Sequence, residues 1–255
     1  THIMNADKWL VAGGSWGSSL AFCYAQTYPQ HTSGLILRGF TDLTYDEINN
    51  PVFNHIFTDQ TDEFFSVLGM DYKKHSELQL IKKIYKRFLK LLPKNNLYHT
   101  PSAEKHILKH LNKTDKKILE LFADEQVYTI KDLTKKKKRV KKKTRKATRY
   151  YETPTFRNFA DALITYHYGV NDFFLQKNQL ALEKNVRKIR NTPTYFVQGR
   201  FDVVCPFYMA YQMNKRLNKS TLHIAHGGHT ISNKDIKKML RMSSDDFIRK
   251  KSRSW

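Results

Sequence analysis

The sequence predicts an α/β fold: a mostly parallel sheet, incomplete at its amino end, interrupted by a long helical insertion. Three observations predict it. Short, uninterrupted apolar runs alternate with helical text at both ends of the chain, as strands buried on both faces do. Between Asp42 and Arg190 that pattern gives way to helical periodicity without a convincing strand. After "NTP" (Asn191–Pro193) the strand–helix alternation returns. The implied organisation is a first α/β part over 1–41, a helical cap over 42–190 and a second α/β part over 191–255.

The first strand is Trp9–Gly13, bounded by the charged pair Asp7 and Lys8 and by glycine. A helix follows from Trp16 to Tyr28, ended by Pro29, with Leu20, Cys23 and Tyr24 on one face. "LILR" (Leu35–Arg38) is a second buried strand. In the insertion, Ser76–Leu92 carries Ile81, Ile84, Tyr85, Phe88, Leu91 and Leu92 at helical spacing, and Pro93 stops it. Ser102–Leu111 and Asp115–Phe122 read as further amphipathic helices, and helical text resumes near Thr155. The last part reads as a strand Thr194–Gln198, a helix Pro206–Leu217, a strand Thr221–Ala225 and a helix from about Asn233 to Lys250.

Composition bounds the rest. The 255 residues are 40% hydrophobic and 13% aromatic, enough for a folded core despite a net charge of +22. Much of that charge is local: ten of the twelve residues in Lys135–Lys146, "KKKKRVKKKTRK", are basic. Like charges repel and buried lysines are costly, so about 132–148 is expected to be a solvated, disordered insert. Its sharper readings are a nuclear-localisation signal or non-specific nucleic-acid contact, with Tyr150 and Tyr151 just beyond as stacking groups. Contact with anionic lipid is a further reading, without an obvious amphipathic partner helix. Two cysteines, Cys23 and Cys205, form no disulfide framework and suit a reducing, cytoplasmic compartment. No apolar run approaches the roughly 18 residues a membrane span needs.

The chemistry lies in three places. Gly13-Gly14-Ser15-Trp16-Gly17 is a G-x-S-x-G turn between a strand and a helix, the shape that holds a serine hydroxyl out of a sheet. The helix behind Ser15 aims its N-terminus at the site, and the Trp16 backbone N–H would be an oxyanion donor. Asp202, in "GRFDVVCP", and His229, in "HGGHT", each follow a strand, where ligands bind in open α/β sheets. A glycine-rich turn with an incidental serine, a loop-capping aspartate and a surface histidine are the bland alternatives. The order Ser15, Asp202, His229 is that of α/β-hydrolases, and three such residues at three strand ends argue against coincidence. His226 and His223 compete for the base; His223 alternates with strand residues, and the glycine pair before His229 favours His229. No histidine pairs with a cysteine or acid in a metal-ligand pattern, so neither metal nor other cofactor is expected.

"WLVAGGSWGSSLAFCYAQTYPQHTSGLILRG" and "GRFDVVCPFYMAYQMNKRL…TLHIAHGGHT" resemble the prolyl iminopeptidases, serine peptidases that release an N-terminal proline. The resemblance is strong over Lys8–Gly39 and Asn191–Thr230, and loose over "YETPT" (Tyr151–Thr155) and "YHYGVNDFF" (Tyr166–Phe174). It implies a Ser15 acyl-enzyme, with His229 as base and then acid, Asp202 orienting it, and short peptides with a free N-terminal proline as substrates. It also implies cap glutamates that bind the substrate's imino group. Glu152 matches one. The second position falls at Thr165 and Tyr166, where Asp161, one turn earlier, could substitute. Phe40 is taken with Glu152 and Thr165 as a substrate-binding candidate. The family's HGGPG-type loop, which supplies a second oxyanion donor, and the strands around it do not precede the elbow here. The chain is therefore expected to be the carboxyl-terminal part of a longer enzyme, impaired alone and partnered by the missing amino-terminal portion. Another activity of the same fold, such as an esterase, and a non-catalytic basic nucleic-acid-binding module are the competing functions.

Overall fold

The computed structural model describes residues 7–44, 58–94, 100–125 and 153–252. They divide into two compact units, one built on the sheet and one helical.

The sheet unit holds four parallel strands in the spatial order of the chain: β1 (Trp9–Gly14), β2 (Thr32–Arg38), β3 (Thr194–Gly199) and β4 (Ser220–Ala225). Position in the sheet explains their composition. Every residue of β3 is buried and β2 is nearly so, whereas the outer strands β1 and β4 are only partly covered. Central parallel strands have helices on both faces and therefore read as unbroken apolar runs.

Between β1 and β2 runs α1 (Trp16–Thr27), which packs on both strands. It buries Ser18, Ser19, Ala21, Phe22, Ala25 and Gln26, while Leu20 is 56% exposed and Cys23 and Tyr24 are only partly covered. The face expected from Leu20, Cys23 and Tyr24 is thus not the one that docks. Small residues dock because the helix starts hard against the strand: a Cβ on Gly13 would lie 1.9 Å from the Gly17 carbonyl oxygen. Phe22 then stacks edge-on against Phe40, and Phe40 against Phe196, three fully buried rings. Each such ring removed from water is worth about 1.5–3 kcal/mol.

In the helical unit lie α2 (Thr58–Ser66), α3 (Glu77–Leu89), α4 (Pro101–His110), α5 (Lys113–Glu125) and α6 (Pro154–Val170). Ser76 and Gln79 close a capping box at the start of α3, and Thr100 and Thr153 cap α4 and α6 ahead of a proline in each first turn. Leu80, Ile84 and Phe88 of α3 meet Phe156, Phe159 and Tyr166 of α6 in one core, so the expected α3 face is largely the buried one. Among the described residues between 42 and 190 there is no strand.

From Lys177 the chain packs with the sheet unit, so the helical part ends earlier than the Arg190 boundary that the sequence predicts. The Gln26 side-chain amide donates to the Leu180 carbonyl (2.9 Å), and α7 (Glu183–Ile189) packs on α1. The unit is completed by α8 (Phe207–Arg216), against β3 and β4, and α9 (Lys234–Ser252), against β2, β3 and β4. Phe247 of α9 joins Ile36 and Tyr195, and Gly34 leaves room for its ring: a Cβ there would sit 2.4 Å from it.

Candidate active site

All three chemical groups stand just past the carboxyl ends of strands, Ser15 after β1, Asp202 after β3 and His229 after β4. Ser15 occupies the N-cap position of α1, yet its side chain makes no capping bond. Its backbone is at φ 56 and ψ −130, a conformation that L-residues rarely adopt and that costs on the order of 1–3 kcal/mol. The strain is held from several sides. The Ser15 N–H donates to the Arg38 carbonyl (2.8 Å), and the Ser15 carbonyl accepts from both the N–H and the hydroxyl of Ser18 (2.7 Å each). The hydroxyl of Ser15 is thereby turned out to His229, with Oγ 2.8 Å from Nε2.

On the other side of the ring, Nδ1 is 3.1 Å from Asp202 Oδ1 and 3.0 Å from Oδ2. A carboxylate only accepts hydrogen bonds, so the proton of the neutral imidazole belongs on Nδ1, leaving Nε2 to accept from the serine hydroxyl. Asp202 and His229 are each 5% exposed. Water therefore competes little for their mutual bonds. Asp202 Oδ1 accepts from the N–H groups of Val204 (3.1 Å) and Cys205 (2.8 Å), and Oδ2 from the Gln198 amide (3.3 Å).

The loops that carry the acid and the base cross at a glycine. A Cβ on Gly199 would lie 2.4 Å from the Gly228 carbonyl oxygen, while Arg200 and Phe201 donate backbone bonds to Ala225 and Gly227. Trp16 opens α1, so its N–H points from the helix end where the dipole is positive.

Two residues of this cluster carry no signal in the sequence motif. Arg38, at the end of β2, donates to the His229 carbonyl (2.9 Å) and brings Nη1 to 3.4 Å from His229 Nε2. Burial pushes its guanidinium below the ordinary arginine value, against the pull of Cys205 and Asp202. Gly14 makes space for it, since a Cβ there would sit 2.7 Å from Nη2. Gln198, near the end of β3, is 0% exposed. A lone basic or amide residue closing an otherwise apolar buried strand was the available clue to both.

The remaining candidates fare differently. Phe40 is fully buried between Phe22 and Phe196, so its ring belongs to the core beneath the site and not to an accessible binding surface. Thr165 and Asp161 are exposed on α6. Glu152, the Lys135–Lys146 run and the tyrosines beside it lie outside the described residues. His223 is partly buried and stacked on Tyr195, its titration pushed down by burial, and His226 is exposed against Phe201. Among the described residues no group of histidine, cysteine, aspartate or glutamate could hold a metal, and no helix is long and apolar enough to cross a membrane.

No family model matches the chain. Among curated proteins it is 30% identical over 250 residues to the proline iminopeptidase of Xylella fastidiosa (strain 9a5c), covering 96% of this chain and 69% of that protein. It is 26% identical to the proline iminopeptidase of Neisseria gonorrhoeae, covering 97% and 69%, and 30% identical to that of Arabidopsis thaliana, covering 95% and 56%. The chain thus spans between 56% and 69% of the length of these relatives. Solved structures with a similar backbone include an esterase from Exiguobacterium antarcticum (TM-score 0.47, 15% identity, 96% of this chain and 68% of that one). A thermophilic esterase from Thermogutta terrifontis aligns at TM-score 0.42 and 14% identity, over 99% and 67%. The parallel sheet flanked by helices is an α/β-hydrolase fold, and the protein is a hydrolase. Within that class, the chain belongs to the proline iminopeptidase family.

Proposed function

We propose that the chain carries the active centre of a serine aminopeptidase that releases N-terminal proline from short peptides, with Ser15 as nucleophile. The observation that carries the reading is the 2.8 Å contact between Ser15 Oγ and His229 Nε2, continued on the far side of the ring to Asp202.

In this mechanism Ser15 Oγ attacks the carbonyl carbon of the N-terminal proline while His229 Nε2 takes its proton. Negative charge gathers on the carbonyl oxygen, where the Trp16 N–H at the start of α1 donates to it. His229 then hands its proton to the departing amine, and the shortened peptide leaves. Water, deprotonated by the same ring, attacks the prolyl ester and frees proline. Asp202 holds the ring in the tautomer that both transfers require. Side chains and water supply every proton and electron pair, so no cofactor enters.

Substrate recognition is proposed from the resemblance alone. Glu152, with Thr165 or the neighbouring Asp161, would meet the substrate's charged imino group, which restricts cleavage to unblocked termini. Cys23 and Cys205 are not joined in a disulfide, which suits a cytoplasmic setting.

The test is hydrolysis of a proline arylamide set beside that of a simple ester. Proline release that Ser15→Ala abolishes, with the circular dichroism spectrum and melting curve kept, is the expected result. Ester cleavage without proline release would replace the reading with an esterase. Turnover that survives Ser15→Ala would end it.

A further inference from the structure

We propose that Gln198 is a positioning residue for this centre: its buried amide fixes the orientation of the Asp202 carboxylate and, through it, of the His229 ring. The proposal rests on the reading of Ser15, His229 and Asp202 as the reacting set.

A polar side chain in a wholly buried strand needs a reason, because an unpaired amide in the interior costs far more than a leucine or methionine of like volume. The reason lies in its three bonds. Gln198 Oε1 accepts from the Phe40 N–H (2.9 Å), and Nε2 donates to Asp202 Oδ2 (3.3 Å) and to the Cys205 carbonyl (2.5 Å). These partners allow one orientation only. With the amide flipped, its NH₂ would face an N–H donor and its oxygen would face a carboxylate and a carbonyl, so all three contacts would turn repulsive.

The side chain therefore ties Phe40, two residues past β2, to Asp202 and Cys205 in the acid-bearing loop. Both carboxylate oxygens lie near His229 Nδ1, Oδ2 at 3.0 Å and Oδ1 at 3.1 Å; Oδ1 is also held by the Val204 and Cys205 N–H groups, and Oδ2 by the Gln198 amide. Without the Gln198 donor the carboxylate keeps its Oδ1 anchors and loses the bond that sets its rotation about them. That rotation decides where Nδ1, and so Nε2, points. Among the described residues, the titratable or charged groups that interact with this cluster are His229 itself, the Cys205 thiol and the Arg38 guanidinium.

The experiment uses the full chain and a fluorophosphonate, which phosphonylates the serine oxygen with loss of fluoride and needs no peptide recognition. Labelling is followed by intact mass and separated into probe affinity and maximal labelling rate. Gln198→Met keeps the volume and removes the bonds. The labelling rate should fall about ten- to a hundredfold, the range that a hydrogen bond to a charged group is worth, with probe affinity unchanged. Gln198→Glu keeps the acceptor for Phe40. Its carboxyl can donate only while protonated, and once ionised it repels Asp202. Its labelling rate relative to the parent chain should therefore be highest at low pH and fall as pH rises.

A residue that merely fills space would shift the melting temperature and leave that ratio flat with pH. A flat ratio in a folded Gln198→Glu protein, or a parental labelling rate in Gln198→Met, overturns the proposal. If Gln198→Glu does not fold, Gln198→Met decides. If neither folds, Gln198 is structural and the proposal falls. A parent chain that is not labelled at Ser15 would instead sink the active-centre reading on which this one stands.

Discussion

Gly39 lies directly against the imidazole of His229: a Cβ on Gly39 would sit 3.2 Å from Cε1 and 3.4 Å from Nδ1, with Asp202 Oδ2 at 3.5 Å. Its φ of +56 also lies in the left-handed region. Gly39→Ala should therefore destabilise the protein by about 1–2 kcal/mol and displace the ring. A shift near 1 Å in such a group costs on the order of a hundredfold in rate. Gly17 is the control, since its Cβ position opens onto empty space; Gly17→Ala gains up to about 1 kcal/mol of helix propensity. Equal melting temperatures and rates for the two variants would refute this assignment.

The backbone of Ser15 separates chemistry from strain. Ser15→Ala and Ser15→Gly both remove the nucleophile, but only glycine adopts φ 56 and ψ −130 without steric cost. Denaturant titration should find the glycine variant about 1 kcal/mol more stable than the alanine variant. The reverse order would mean that the elbow is not strained.

Asp202→Asn tests the tautomer. Its amide can donate to Nδ1, which would leave the ring proton on Nε2, facing the serine hydroxyl. Turnover should drop about ten-thousandfold with the Val204 and Cys205 bonds to the side-chain oxygen retained, while the new amide nitrogen faces the Gln198 Nε2 donor and the lost bond lowers the melting temperature modestly. A loss below about tenfold would mean that Asp202 does not set the proton's position.

Glu183 governs part of the acid response of the sheet unit. Bonds from Arg187 and Arg216, with Arg190 adding its charge, hold its carboxyl down to about 2 from an ordinary 4.5. Since the folded value is the lower one, the contribution is complete above the unfolded value and fades as pH falls from about 4.5 towards 2. Glu183→Gln should lower the urea midpoint slightly at neutral pH and not at all near pH 2. The group is 46% exposed, so solvent screening keeps the effect small, and added salt should shrink it further. A midpoint difference that persists at acid pH would rule this out.

In the helical unit, Phe88 is fully buried with its ring 5.1 Å from Phe159 and 6.2 Å from Tyr166. Phe88→Ala should cost about 3–5 kcal/mol, read by thermal or denaturant unfolding. A cost under about 1 kcal/mol would show that this core relaxes around the void.

Much of the architecture was legible because its signals are local. The apolar runs at 9–13, 35–38, 194–198 and 221–225 became four parallel strands, each within a few residues of the expected bounds. The helices expected from Ser76, from Ser102 and near Thr155 begin at Glu77, Pro101 and Pro154. Other features were not legible. Leu20 shares one helix face with Cys23 and Tyr24 and is exposed, because closeness at the elbow favours small residues over large ones on the face that docks. Residues 177–190 look helical like the insertion before them, and only bonds such as that from Gln26 to Leu180 assign them to the sheet unit. Phe40 stands beside the site in sequence, yet its ring turns into the core.

By itself the sequence determined the α/β alternation, the strand-end positions of a serine, an aspartate and a histidine, and the kinship carried by the motifs around them. Periodicity and turn chemistry act over a few residues and survive in the linear text. Only the tertiary structure decided which polar atoms meet. Ser15 and His229 are 214 positions apart, and the orientation of their cluster depends on Arg38, Gly39 and Gln198. None of those three belongs to the serine motif. Their effect exists only once packing has excluded water and brought these buried donors and acceptors together.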